Sequence, residues 1–370
     1  MMLMDKKKRR MVILAEKERI VYHRFALILK NNFAVKEFYV TNSDNAPFLL
    51  NRWILAYGFF KKITKRFKPD KILLCGGSLI TIWPIIFLIK LWHLNAEVIS
   101  FRYDIEYFRP YPKGIIGKLQ HFIARKLEKY SLINSNKIIH KGSQDELQFL
   151  PFYGRIKNKR HYLLKEFLDK ELIQNYNPGI KLSKKDGKLH LAYGGGWYYD
   201  DVSTSDSFFK LYEPLLKNNC HMHVYTEAEG NRIKRIEEFR KKYPNFHYEG
   251  FVGREKLVRE YQKYDFGLNF YGFLNKEKNS NIFVKTAFSN KNFDYAVAML
   301  PILTNNEAIA KSDFAVKNKI GYSYNLLDYN NPLIYKEISN KNNYKKLIEN
   351  LKTFINRNLD NKDFINFIKI

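Results

Sequence analysis

The stretch Ser289-Asn-Lys-Asn-Phe-Asp-Tyr-Ala-Val-Ala-Met-Leu-Pro-Ile-Leu-Thr304 places a basic and an acidic side chain at the start of an amphipathic segment. Phe293, Ala296, Val297 and Leu300 fall at i, i+3, i+4 and i+7, the spacing of a core-facing helical stripe. Pro301 stops the helix, and Ile302–Thr304 reads as a short buried strand. The stripe leaves Lys291, Asp294 and Tyr295 on the other side, with Ser289 or Asn290 as the N-cap. A lysine in the first helical turn opposes the helix dipole by about 0.3–1 kcal/mol. A bound phosphate turns that mismatch into an anion site made of an ammonium and backbone N–H groups. A solvated Lys291–Asp294 pair, worth under about 1 kcal/mol, is the alternative that the local pattern leaves open.

Three strand exits supply further candidates. Tyr193-Gly194-Gly195-Gly196-Trp197 follows an apolar strand, and its glycines let the backbone turn tightly and approach a ligand without obstruction by Cβ. In open α/β sheets ligands gather at the carboxyl ends of strands, where this loop falls. The loop is neither GxGxxG nor Walker A, so it names no particular nucleotide. His223-Val-Tyr225-Thr-Glu-Ala-Glu-Gly230 leaves a second strand, and Tyr248-Glu-Gly-Phe251-Val252-Gly253 leaves a third; Phe251 and Val252 could pack on a flat base.

In the first half, Arg102, Asp104 and Glu106 alternate just after a strand and can share one face. Asp104 there is a candidate base or sugar-hydroxyl acceptor, with Arg102 and Glu106 beside it. A surface salt-bridge cluster is the competing reading. His140 and Lys141 at another strand exit are weaker candidates. Asp200-Asp201 lacks a partner motif, and His221 and His223 straddle one residue with no third metal ligand evident. No Ser–His–Asp or Cys–His arrangement stands out, and no metal site is expected.

The elements that must position these groups alternate. Strands at Met11–Ala15, Val35–Val40, Lys71–Cys75, Glu97–Phe101 and Lys137–His140 interleave with helices at Val21–Lys30, Leu50–Phe67, Leu79–Leu94 and Ile115–Ile133. Pro151 to Gly187 is turn-rich. Alternation then restarts at Leu189–Tyr193 and runs through His221–Thr226, Phe246–Tyr248, Phe266–Phe270 and Ile302–Thr304. The expected fold class is α/β, two Rossmann-like domains with parallel sheets facing across a cleft. The expected units are a first domain at 1–180, a second at 187–342, and a helical segment at 343–370 packing back toward the first.

Composition narrows the partners. With 370 residues and 45% apolar content the chain can build two cores. Cys75 and Cys220 lie in separate apolar segments, which suggests a reducing compartment. The net charge of +27 predicts attraction to phosphate-bearing substrates or an anionic membrane surface. Nucleic acid is disfavoured, because no recognition-helix, RNP or zinc signature accompanies the charge. The run Met11–Ala15 is too short for a secretory signal, and Leu79–Leu94, with Lys90 near its centre, falls short of the ~20 apolar residues of a membrane span. A cytoplasmic protein able to associate with the inner membrane face is expected.

From Leu189 to Asn325 the chain resembles the donor-binding domain of the GT-B glycosyltransferases, group 1/4-like enzymes. The resemblance lies in the order of the Gly-rich strand exit, His223–Thr226, Tyr248-Glu-Gly-Phe-Val, Glu260–Leu268 and Asn290–Ile302. The last block is similar to the family's NK-x-F-[DE]-Y-x-A-x-G-x-P pattern. The resemblance implies a nucleotide-diphosphate sugar donor, a glycan or lipid-linked acceptor, and no required cofactor. It makes 187–342 the nucleotide-sugar domain and 1–180 the acceptor side, and places Asp294 at the donor ribose and Lys291 near the diphosphate, with Gly194, Gly195 and Gly196 beneath it and Asn290 among the donor-binding residues. Cell-surface polysaccharide assembly is the setting it suggests. Thr286 stands where the retaining variant has a glutamate, Met299 where a glycine is usual, and Asp200-Asp201 where an Arg and Lys are customary, so the stereochemistry stays open. A nucleotide-sugar epimerase of similar fold, or a non-catalytic sugar-nucleotide or polyanion-binding protein, are the competing functions.

Overall fold

The computed structural model describes residues 8–15, 20–39, 57–58, 61, 65–75, 86, 95–102, 105–109, 114–143, 145–164, 168, 170–195, 205–272, 281–359 and 361–370. The chain forms two compact units, Met1–Lys165 with Asn361–Ile370, and Glu166–Asp360. Each is built on a six-stranded sheet, and all strand pairs in both sheets are parallel.

The first unit contains β1 (Arg9–Ala15), α1 (Ile20–Leu29), β2 (Phe33–Tyr39), β3 (Lys71–Cys75), β4 (Glu97–Arg102), α2 (Ile115–Asn134), β5 (Lys137–His140) and β6 (Arg160–Leu163). The strand order is β2-β1-β3-β4-β5-β6. β3 and β5 are buried at every position, the signature of parallel strands covered on both faces. At the strand starts Glu97 pairs with Lys71 and with Lys137, the latter at 2.6 Å. Lys137 also donates to the carbonyl of Ile368 in the helix Lys362–Lys369. Phe364 of that helix stacks on Phe25 at 5.4 Å, which explains why the last ten residues belong to this unit. β6 lies inside the stretch read as turn-rich; as a half-exposed edge strand of sequence Arg-His-Tyr-Leu it has no apolar run to betray it. Apart from Ile86, the expected helix Leu79–Leu94 lies outside the described residues. Among the described residues no helix is long and apolar enough to cross a membrane.

The second unit contains α3 (Ser183–Asp186), β7 (His190–Gly194), α4 (Ser205–Lys217), β8 (His221–Tyr225), α5 (Asn231–Lys242), β9 (Phe246–Gly250), α6 (Arg254–Tyr261), β10 (Phe266–Leu268), α7 (Ile282–Thr286), α8 (Lys291–Val297), β11 (Ile302–Asn305), α9 (Ile309–Lys317), β12 (Gly321–Tyr324), α10 (Pro332–Ile338) and α11 (Lys341–Asn358). Its sheet runs β12-β11-β10-β7-β8-β9. Counted from β7, that is the 3-2-1-4-5-6 order of a doubly wound sheet, and the direction of winding switches between β7 and β10. Alternate residues of β7 feed two cores: Leu191 and Tyr193 join one with Leu215 and Met222, and Ala192 joins the other with Tyr295 and Leu351.

The unit boundary falls earlier than the turn-rich sequence suggests. Leu168 and Leu172 pack in the second unit's core, and Gln174 donates its N–H to the carbonyl of Val297 at 2.8 Å. The segment read as 343–370 divides. Leu347, Ile348, Leu351, Phe354 and Ile355 of α11 bury in the second unit, and only Lys362–Lys369 joins the first.

Helix α8 departs from its predicted pattern in two ways. It spans seven residues, because Met299 adopts a left-handed conformation (φ 57°) and Leu300 returns its N–H to the carbonyl of Tyr295 at 2.9 Å. That conformation costs a non-glycine residue about 1–2 kcal/mol, which burial of the Met299 side chain offsets. Tyr295, placed by periodicity on the polar side, is fully buried. Its ring lies on Gly267, where an added Cβ would come within 2.5 Å of the ring carbons. The helix is therefore covered on more than its aliphatic stripe. We expect Gly267→Ala to destabilise the protein by about 1–3 kcal/mol through overpacking, read as a lower urea midpoint at unchanged slope.

Candidate functional site

At the carboxyl end of β7, Gly195 takes φ +116° and donates its N–H to the carbonyl of Tyr225 at 3.0 Å. A Cβ at Gly195 would sit 2.8 Å from Cε of Lys291. The Lys291 ammonium lies 4.0 Å from the centre of the Tyr193 ring, a cation–π contact. The structure thus brings together the glycine turn and the lysine, which are nearly a hundred residues apart in sequence. The glycine serves sterically, since its N–H is already engaged. The lysine is held by its helix: Tyr295, one turn further on, donates its hydroxyl to the carbonyls of Leu268 (2.9 Å) and Ala192 (3.3 Å), in the neighbouring strands β10 and β7.

Around this pair the other candidates take different positions. Asp294 accepts two hydrogen bonds from Arg254, at 2.8 and 2.5 Å through Nε and Nη2. Arg254 opens α6 directly after Gly253 and was missed in the sequence, where a basic residue after a glycine-flanked turn was the available signal. Asn290 occupies the N-cap position of α8 without a side-chain capping bond, and Ser289 before it accepts the N–H of Lys291 through Oγ at 3.3 Å. Asn290 Oδ1 is buried without a hydrogen-bond partner among the described residues, as is Asn292 Nδ2, although Asn292 Oδ1 accepts from Asn269 at 2.5 Å. Buried orphans of this kind cost about 1–3 kcal/mol each.

Tyr225 points its hydroxyl to Tyr264 at 2.5 Å and to Glu260 at 3.3 Å, in a buried network. Burial raises its pKa above the usual phenol range. Gly194 lies against the Tyr261 hydroxyl, too close for any side chain there. Phe251 is 72% exposed and Val252 half-buried against the core. Gly196 and the pair Asp200-Asp201 lie outside the described residues.

In the first unit the acceptor-side candidates organise around a residue that the sequence reading did not single out. Glu128, fully buried on α2, accepts the N–H groups of Glu106 and Tyr107, each at 3.0 Å. Burial pushes its carboxyl up to about 7, against the opposing pull of Arg102 and the two N–H donors. Arg102 is itself buried and donates to Ser131 Oγ. Glu106 meets His121 at 3.1 Å and Arg109 at 3.4 Å. Arg102 and Glu106 therefore do not form one open face; one is internal and the other sits on the turn Glu106–Phe108. Asp104 lies outside the described residues. At the end of β5, His140 bonds Glu146 at 2.7 Å, and Gly142 donates to the same oxygen at 2.9 Å, so that histidine is satisfied internally.

Residues 211–367 match the family model described as glucosyltransferase 3-like, C-terminal domain. No curated protein matches the sequence significantly. Among solved structures the chain is similar to S. aureus MnaA in a co-structure with UDP, at 9% identity and TM-score 0.54 over 92% of this chain and 91% of that one. It is similar to a UDP-N-acetylglucosamine 2-epimerase at 12% identity and TM-score 0.54, over 93% and 91% of the two chains. It is also similar to Medicago truncatula UGT71G1 complexed with UDP-glucose, at 10% identity and TM-score 0.54 over 96% and 95%. The fold is GT-B-like. Within this GT-B-like chain Thr286 is buried and donates its hydroxyl to the carbonyl of Ile282 at 2.9 Å, a contact internal to its own short helix.

The Glu128 arrangement is directly checkable. Glu128→Ala would strand two backbone donors, and we expect a loss of about 2–4 kcal/mol in stability. Faster amide exchange at Glu106 and Tyr107 should accompany it; unchanged protection at both would contradict the assignment.

Proposed function

We propose that the chain transfers a sugar from a nucleoside-diphosphate sugar to a glycan or lipid-linked acceptor, with the second unit holding the donor. The observation that carries this reading is the Lys291 side chain lying across Gly195 at the carboxyl ends of β7 and β10. That is the topological switch point, where open parallel sheets bind nucleotides. A diphosphate there would accept from the Lys291 ammonium, and residue 195 offers no side chain to hold it away. As the bond to the sugar breaks, negative charge grows on the leaving diphosphate, and a fixed ammonium stabilises that charge more than it stabilises the bound donor. The seven-residue length of α8 makes the lysine, more than the helix dipole, the source of the attraction.

Asn290 Oδ1 supplies an unmet acceptor for a hydroxyl or N–H of the nucleoside. Asp294, braced by Arg254, is assigned to the ribose. The match of residues 211–367 to a glucosyltransferase-like domain favours transfer over epimerisation. A lipid-linked acceptor suits the net charge of +27, since each well-placed basic residue contributes about 1 kcal/mol of attraction to an anionic leaflet. A cytoplasmic enzyme of cell-surface polysaccharide assembly, acting at the membrane face, is the setting we assign.

Calorimetry with nucleoside diphosphates should find one that binds the wild type. Lys291→Ala should then weaken it about tenfold or more, equivalent to about 1.4 kcal/mol. Gly195→Ala, strained at its φ and displacing the lysine, should act in the same direction. Equal affinities in all three proteins would remove the site. Conversion of a UDP-sugar to its epimer without acceptor, followed by NMR, would replace transfer with epimerisation.

A further inference from the structure

Toward the amino ends of the second sheet's strands, four histidines on three adjacent strands stack in one layer: His190 of β7, His221 and His223 of β8, and His247 of β9. Their ring centres are 4.4–5.2 Å apart in the successive pairs. The sequence shows only His221 and His223 as a pair lacking a third ligand. The fold regroups them, setting His221 with His190 and Asp186 and leaving His223 behind His190. Asp186, closing α3 beside the turn at Gly187, brings Oδ2 to 3.0 Å from His190 Nε2 and 4.0 Å from His221 Nε2. All three ligand atoms lie within 4.8 Å of one another.

We propose that Asp186, His190 and His221 bind a divalent transition-metal ion, Zn2+ being the best fit, at a structural site. Ligands at ~2.0–2.2 Å from zinc in a tetrahedron are about 3.3 Å apart, so the three atoms need only small movements to converge. Two imidazoles and one carboxylate suit zinc, cobalt or nickel far better than magnesium or calcium.

The neighbours hold His190 in the tautomer that ligation requires. His190 Nδ1 contacts His223 Nε2 at 3.0 Å, and His223 Nδ1 contacts Glu249 at 2.8 Å. Glu249 accepts only, so His223 donates from Nδ1 and accepts at Nε2; His190 then donates from Nδ1, and its Nε2 carries a lone pair toward Asp186. Two lone-pair groups 3.0 Å apart repel unless a cation or a proton joins them. His221 Nδ1 contacts His247 Nε2 at 2.9 Å, which leaves Nε2 as its free end, buried with no hydrogen-bond partner among the described residues. Two chains of imidazole support thus end at the same carboxylate, the outer-shell pattern of metal-ligating histidines. The site stands at the start of β7, about 13 Å from the turn at its end, so the ion would clamp α3 to the sheet without touching the donor.

The test uses the full chain without an affinity tag, stripped by chelator and dialysed against Zn2+ or Co2+. One equivalent of Zn2+ per chain at micromolar concentration is expected, with intense visible Co2+ bands of a four-coordinate site and a raised melting temperature. Asp186→Asn, at an exposed turn, should weaken binding at least about tenfold and cancel the thermal shift; His223→Ala should weaken it about 10–100-fold while sparing all three ligands. Substoichiometric uptake, or uptake unchanged in Asp186→Asn and in His221→Ala, would overturn the proposal. The second result would mean that surface groups bind the ion and that a proton joins Asp186 to His190.

Discussion

Helix α8 can approach the second sheet only because residue 267 has no side chain. The Tyr295 ring occupies that space, and its hydroxyl donates to carbonyls of both β7 and β10. A buried phenol must be paired or it costs several kcal/mol, so the ring has one acceptable position. That position fixes the helix over the point where the strand order reverses. Lys291, one turn earlier on the same face, is thereby carried over Tyr193 and Gly195. The functional reading therefore depends on a packing contact between a glycine and a tyrosine that never touch a substrate.

The two sheets handle charge differently. At the strand starts of the first unit charged groups satisfy each other, Glu97 lying between Lys71 and Lys137. Such sets are tolerable in a low-dielectric setting only when complete. In the second unit two sets are incomplete among the described residues: Asn290 Oδ1 and Asn292 Nδ2 are buried and unmet near Lys291 at the strand ends, and His221 Nε2 is buried and unmet at the strand starts. The completed cluster holds the fold, and the two incomplete ones are where we assign ligands.

How much of this was legible depends on whether a feature is local. Parallel strands buried on both faces are continuous apolar runs, and Lys71–Cys75 and Lys137–His140 were readable to the residue. The half-exposed edge strand Arg160–Leu163 was not, because its partner covers only one side. The unit boundary was read from turn residues, yet packing of Leu168 and Leu172 moved it, since a linker can be turn-rich and still buried.

The sequence by itself determined the alternating α/β architecture, the apolar stripe of α8 and the glycine turn, because each is written in periodicity or in residue type within a short window. It also put Lys291 and Asp294 in one helix. Only the tertiary structure decided that Lys291 lies on Gly195, that Asp294 is braced by Arg254, that Tyr295 is core, and that Asp186 meets His190 and His221. Those pairings join residues brought together by strand order and by the volume left above a glycine, and neither quantity exists until the chain has closed on itself.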